Sequence, residues 1–202
     1  VSLLMLAPVL LMPIVVSANC PAPGATEEAK PPVKRVTKPL DPDTPVDIES
    51  DGLEAKREGD WLLNGAVTIT QGDRKLKTKD ATYHPQDQSF ETKNSVEYSD
   101  PTLSVRGSSA QFDPTAGAKF EDAQFELPVQ NGRGSAKEIS ATREGEVAMS
   151  EVRYTTCPIG SEDWVIRADD INISQQRSLG TGRGVRLDFK GVPILYTPFI
   201  SF

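Results

Sequence analysis

The 202-residue sequence has one histidine, His84, and that scarcity removes two large chemistries. Neither a His-based metal site nor a Ser-His-Asp triad forms around a single imidazole beside Pro85; His84 reads as a solvent-facing turn residue. Helical periodicity is missing too: no ten-residue window keeps an i, i+3, i+4, i+7 apolar stripe. Basic charge is in deficit, with 22 Lys and Arg against 29 Asp and Glu and a formal net charge of −7. Phosphate neutralisation needs clustered cations, so no nucleic-acid partner is expected. The cluster Arg74-Lys75-x-Lys77-x-Lys79 reads as a solvated strand edge. Gly132-Arg133-Gly134 and Gly182-Arg183-Gly184 have the form of phosphate-cradling loops, but no helix follows either, so they read as turns or bulges. Carboxylates scatter without a pair that stands out as acid and base. The expectation is no catalytic residue, no metal and no cofactor: not an enzyme.

The two ends are unlike the middle. Val1 to Ala18 carries no charge and closes on Val16-Ser17-Ala18, which suits signal-peptidase cleavage before Asn19. Residues 1–18 therefore read as a signal peptide truncated at its start, and the chain as exported. Residues 19–45 are proline-rich and poor in large apolar side chains, the composition of a disordered linker. A folded domain is expected over 46–191, an ordinary size for a single core. Two cysteines in an exported chain favour disulfide chemistry over metal binding. Cys20 would sit at the mature terminus and Cys157 in a turn, so Cys20 makes sense as a tether.

What the chain does have is repetition. Leu53-x-Ala55, Ala81-x-Tyr83, Ala110-x-Phe112, Ile139-x-Ala141 and Ile171-x-Ile173 start 28, 29, 29 and 32 residues apart. A second series interleaves at steps of 29, 29, 27 and 33: Val67-x-Ile69, Val96-x-Tyr98, Phe125-x-Leu127, Val152-x-Tyr154 and Val185-x-Leu187. Five residues before members of the first series stand Ile48, Leu76, Val105, Gly134 and Ile166. Trp61, Phe90, Phe120, Val147 and Leu179 precede the second. A fixed period with two-residue alternation describes stacked β units that share one buried face. Thr68, Glu97, Glu126, Arg153 and Arg186 then point outward. The fold class is all-β. The repeat suits a β-jellyroll, or β-taco, of V-folded antiparallel sheets built from two-strand units of about 29 residues. A parallel β-helix is the alternative. The candidate lining of an apolar groove is Ile48, Leu53, Val67, Ile69, Val96, Tyr98, Phe112, Phe125, Leu127, Val152, Ile171, Ile173, Val185 and Leu187.

Specific blocks crowd the C-terminal third: Thr155-Thr156-Cys157-Pro158, Trp164-x-Ile166-x-Ala168, Gly182-x-Gly184, and Gly191-Val192-Pro193-Ile194-x-Tyr196-x-Pro198. With Asn64-Gly65-x-Val67 and Leu76-x-Thr78-x-x-Ala81 upstream, the chain resembles the N-terminal periplasmic, OstA-like domain of the LptD lipopolysaccharide-assembly (organic solvent tolerance) proteins. The bridge protein LptA shares the upstream pattern. That resemblance implies a jellyroll whose groove takes the acyl chains of lipid A at the periplasmic side of the outer membrane. It implies three partners: lipopolysaccharide itself, LptA joined by β-strand augmentation near Val46 to Ala55, and the barrel-plugging lipoprotein LptE. It also implies that 192–202 begin the passage into an outer-membrane barrel, so the sequence reads as a fragment. In that family the cysteines resembling Cys20 and Cys157 pair with barrel cysteines; here they either stay reduced or bond to each other. A stand-alone bridge protein of the LptA kind and a polysaccharide-binding or lyase β-helix are the competing readings.

Overall fold

The computed structural model describes residues 20, 44–55 and 59–202. The expected signal peptide, and the linker apart from Cys20, Thr44 and Pro45, lie outside the described residues. The chain forms β1 (Asp47–Glu49), β2 (Gly52–Ala55), β3 (Trp61–Gln71), β4 (Arg74–His84), β5 (Ser89–Thr92), β6 (Val96–Ser99) and β7 (Ser104–Gly107). It continues through β8 (Ser109–Asp113), β9 (Gly117–Leu127), β10 (Gly132–Ala141), β11 (Glu146–Thr155), β12 (Trp164–Ser174), β13 (Leu179–Phe189) and β14 (Val192–Ser201). The one helical element among the described residues is a 3-10 turn, Pro128–Gln130.

All fourteen strands belong to one sheet, and every pairing is antiparallel. This overturns the parallel β-helix, whose coils stack in parallel ladders. The sheet is creased lengthwise. β3 pairs with β2 through its first residues and with β1 through its last; β4 pairs with β6 and then β5 in the same way. β9 likewise meets β8 with one half and β7 with the other. Each long strand thus serves two arms.

The crease has a backbone cause. Gly65 and Ala66 in β3, Asp122 in β9, Glu151 in β11 and Gly184 in β13 adopt positive φ of 71°, 48°, 45°, 47° and 56°. A left-handed residue inside a strand adds an unpaired position, bends the strand and shifts its side-chain phase. The ladder skips there: Ala136 pairs Ala123 and Glu138 pairs Glu121, leaving Asp122 and Lys137 unpaired between them. Inward positions therefore step by two, then three, then two, as in Ala118, Phe120, Ala123, Phe125 and Leu127. The doubled outward positions are polar. Lys137 Nζ lies 2.6 Å from Asp122 Oδ1 along the outer ridge, and Lys119 Nζ 2.9 Å from Glu138 Oε2.

The crease also sorts the two sequence series. The first series lies on one arm and the second on the other, facing across the fold. Their side chains join in one cluster in which Ala110, Phe120 and Ile139 of the first arm meet Leu76, Val96, Val105, Phe125 and Val152 of the second. Burying each large apolar side chain contributes about 1.5–3 kcal/mol. Val192–Ser201 is the last strand of this same sheet, paired with β13.

Candidate functional site

Two apolar rows run the length of the molecule, one per arm. On the second arm, directly paired residues read Ile48, Ile69, Leu76, Tyr98, Val105, Phe125, Gly134, Tyr154, Ile166, Leu187 and Leu195. On the first arm they read Ala55, Trp61, Tyr83, Phe90, Phe112, Ala118, Ala141, Val147, Ile173 and Gly180. No charged residue interrupts either row. Directly opposed residues share a face of the sheet, so each row is a continuous oily track.

The tracks are not equally covered along their length. Of the expected lining residues, Val67, Val96, Phe125 and Val152 are buried, Val67 completely. Ile69, Tyr98, Phe112, Leu127, Ile171, Ile173, Val185 and Leu187 are half-buried. Ile48 and Leu53 remain on the inner-face rows but are 48% and 56% exposed, because they belong to the outermost strands. From β4 to β10 the arms close on each other. From β11 onward cover thins, although Val152, Trp164 and Ala168 stay buried, until Val192, Ile194, Leu195, Tyr196 and Phe199 of β14, with Phe202 beyond it, are all more than half exposed.

Four rings form a relay across the closed part. Phe90 stacks on Phe112 at 5.1 Å, Phe112 meets Phe120 edge-on at 5.6 Å, and Phe120 faces Tyr98 of the other arm at 6.1 Å. The Tyr98 hydroxyl donates to Asp100 Oδ2 at 3.1 Å. Burial, with the neighbouring Asp100 carboxylate, raises the Tyr98 phenol well above its ordinary range, so it stays neutral. Asp100 is itself fixed by the amides of Thr102 and Leu103 at 2.7 and 2.8 Å. Thr78 and Thr92, the polar pair buried near the crease, bond to each other at 2.9 Å.

Glycines set the width of the tracks. A Cβ on Gly134 would collide with the Phe125 ring and the Arg153 carbonyl, and one on Gly132 with Tyr154. Gly180 and Gly182 similarly receive Phe202 and the side chains of Ile171 and Ile200. These glycines lie within β10 and β13; of the two Gly-x-Gly pairs only Gly184 takes a positive φ, and the strand pairing keeps its register across it.

Cys20 and Cys157 form a disulfide, their Cα atoms 4.8 Å apart, which resolves the alternative left open above. The bridge packs with Trp164 against Tyr154, Ile166, Leu187 and Phe189 at the rim of the second arm. The turn is braced by Arg133, whose Nε donates to Cys157 O at 2.9 Å and whose Nη2 donates to Ser161 O at 3.0 Å. Thr155 Oγ1 donates to Trp164 O at 2.7 Å and accepts from the Cys157 amide at 3.0 Å.

The outer face is polar. Arg153, Arg167 and Arg186 stand opposite one another on β11, β12 and β13. Arg153 pairs with Glu162, while Arg167 Nε and Arg186 Nε lie 2.9 and 2.8 Å from the two Asp188 oxygens. Burial pushes the Asp188 carboxyl up, but hydrogen bonds from both guanidiniums outweigh it and hold the group below its ordinary value. His84 Nδ1 lies 2.7 Å from Asp60 Oδ1, within reach to donate to that carboxylate, on the surface. Among the described residues, no cluster of three His, Cys, Asp or Glu side chains is placed to hold a metal ion.

Phe120, Leu76 and Val105, which the sequence pattern set ahead of the strand series but not in the candidate lining, also sit on the inner face. Their signal is the two-three-two spacing of apolar positions, which carries the alternation through the crease.

Residues 47–178 match the family model described as LptA/(LptD N-terminal domain) LPS transport protein. The chain is similar to the LPS-assembly protein LptD of Nitrosomonas eutropha, 31% identical over 159 residues that cover 78% of this chain and 22% of that protein. It is also 31% identical to the LptD of Saccharophagus degradans over 182 residues, 89% of this chain and 21% of the relative. The chain thus spans about a fifth of the length of these curated relatives. The crystal structure of LptH, the LptA homologous periplasmic component of the lipopolysaccharide transport device of Pseudomonas aeruginosa, aligns at 14% identity. That alignment covers 70% of this chain and 84% of LptH, with a TM-score of 0.29. With the family model matching well over half of its length, this chain belongs to the LptA/LptD N-terminal domain family of LPS transport proteins.

Proposed function

We propose that this chain carries the acyl chains of lipopolysaccharide along its inner face on the way to the outer membrane, without any chemical step. The observation that carries the reading is the pair of unbroken apolar rows, reaching from the edge strands to β13 on the first arm and to β14 on the second. A methylene moved out of water is worth about 0.8 kcal/mol, so a chain of about fourteen carbons exposed in the periplasm costs on the order of 10 kcal/mol. An apolar track offsets that cost continuously. The fourteen expected lining residues, from Ile48 to Leu187, are the proposed contacts.

The edges suggest the direction. β1 and β2 pair only with β3, which leaves their outer edges free among the described residues to accept a strand from an LptA-like protein. At the opposite end, apolar β14 fits a place at the membrane, beside a barrel and its LptE partner, with the chain held on the periplasmic side of the outer membrane. A photocrosslinking residue at Ile69, Phe125 or Ile171 of the full-length protein in exporting cells should capture lipopolysaccharide. Capture by outward positions such as Thr68 or Glu126, with none by the inner three, would sink the reading.

A further inference from the structure

We propose that Tyr98 and Phe120 form a gate that must part before a lipid can pass from the β3 end to the β12 end of the trough. The inference rests on the lipid-carrying reading above. Of the ring contacts among the described residues, Trp61 with Tyr83, Phe90 with Phe112 and Phe112 with Phe120 lie within the first arm, and Tyr154 with Trp164 within the second. Tyr98 with Phe120 is the pair that bridges the arms. It stands where burial of the inner face is most complete, among Val96, Val105 and Ala110.

The two halves of the gate are held differently. Tyr98 is fixed to its rim through Asp100, which the turn amides and the Thr102 hydroxyl hold in place. Phe120 has no polar anchor; its ring leans on Phe112 and on Ala110 and Ile139, its neighbours in register. Phe120 is therefore the leaf that swings and Tyr98 the post. A stacked or edge-on aromatic contact is weak enough to exchange for contact with acyl methylenes, so an arriving chain replaces what it displaces.

Two photocrosslinkers in the full-length protein of exporting cells, at Ile69 on one side and Ile171 on the other, test this. Tyr98→Cys and Phe120→Cys together allow the leaf to be tied to its post with a short bifunctional thiol reagent. The tie should lower lipopolysaccharide capture at Ile171 several-fold and leave capture at Ile69 in place. Single cysteines capped with a monofunctional reagent of similar size set the baseline, and the tie should lower Ile171 capture several-fold below it. Equal capture at Ile171 with and without the tie overturns the gate, as does an equal fall from the monofunctional caps. Absence of capture at both residues in the untied protein overturns the lipid reading itself, and the gate with it. Phe120→Leu keeps an apolar side chain but cannot reach Tyr98; it should raise the ratio of Ile171 to Ile69 capture, and an unchanged ratio counts against the gate.

Discussion

The stretch from β4 to β10 and the stretch from β11 to β14 are built from the same repeat, yet one is closed and the other open. In the first, aromatic side chains from both arms reach across the fold, and the smaller Val96, Val105, Ala110 and Ala123 are almost wholly buried. In the second, Ile171, Ile173, Val185 and Leu187 are half-covered and the last strand is apolar on both faces. Two differences in side chains account for this. The closed part places Phe90, Phe112, Phe120 and Tyr98 on its inner face, whereas in the open part Ile171 and Ile173 pair with Gly182 and Gly180. The open part is held instead by covalent and ionic clamps: the Cys20–Cys157 bridge and the Asp188 pair of ion contacts. Packing stabilises one end; cross-links brace the other.

On that contrast, deleting a ring in the closed part has the largest effect. Phe120→Ala should cost about 3–5 kcal/mol in urea unfolding, while Leu187→Ala at the open end should cost clearly less. Equal losses would erase the distinction. Reducing the disulfide should come next, lowering stability by about 2–5 kcal/mol, since it releases a crosslink between residues 137 positions apart. Hydrogen exchange should locate that loosening in β11 to β13 and leave β4 protected.

Gly184→Ala should cost about 1–3 kcal/mol, because φ is +56° there and a Cβ would run into the Asp169 carboxylate. A crease that tolerates alanine at this position would show that the bend does not need the left-handed residue. The smallest effect belongs to Asp188→Asn, about 1 kcal/mol, since its arginine partners are partly solvated. The carboxyl titrates lower in the folded chain than in the unfolded one. Its contribution is therefore full above the unfolded value, near pH 4, and is lost as pH falls through the lower folded value. An acid titration should show the wild type losing its advantage over Asp188→Asn in that window.

Much of this was legible in the residues. Alternation and a period near 29 point to an all-β stack, and the absence of charge at inward positions points to one shared apolar face. The two series are the two arms, but the pattern did not show that a single long strand supplies residues to both. Ile166 and Ile171 stand five apart because they lie on one strand, β12, two steps of two and three residues across the crease. Asp122 and Glu151 gave no warning of positive φ, since acidic residues are common on any solvated strand face. Phe120 was seen only as a residue before a strand, because its cross-arm partner Tyr98 is 22 positions away and on another arm.

By itself the order of residues determined which side chains face inward, since a strand alternates with a fixed period and apolar groups avoid water. It also determined the family, which residues 47–178 match. Only the tertiary structure decided where the sheet creases, which rings touch across it and that the two cysteines meet. Those depend on distances between residues far apart in sequence, and local pattern carries no information about them.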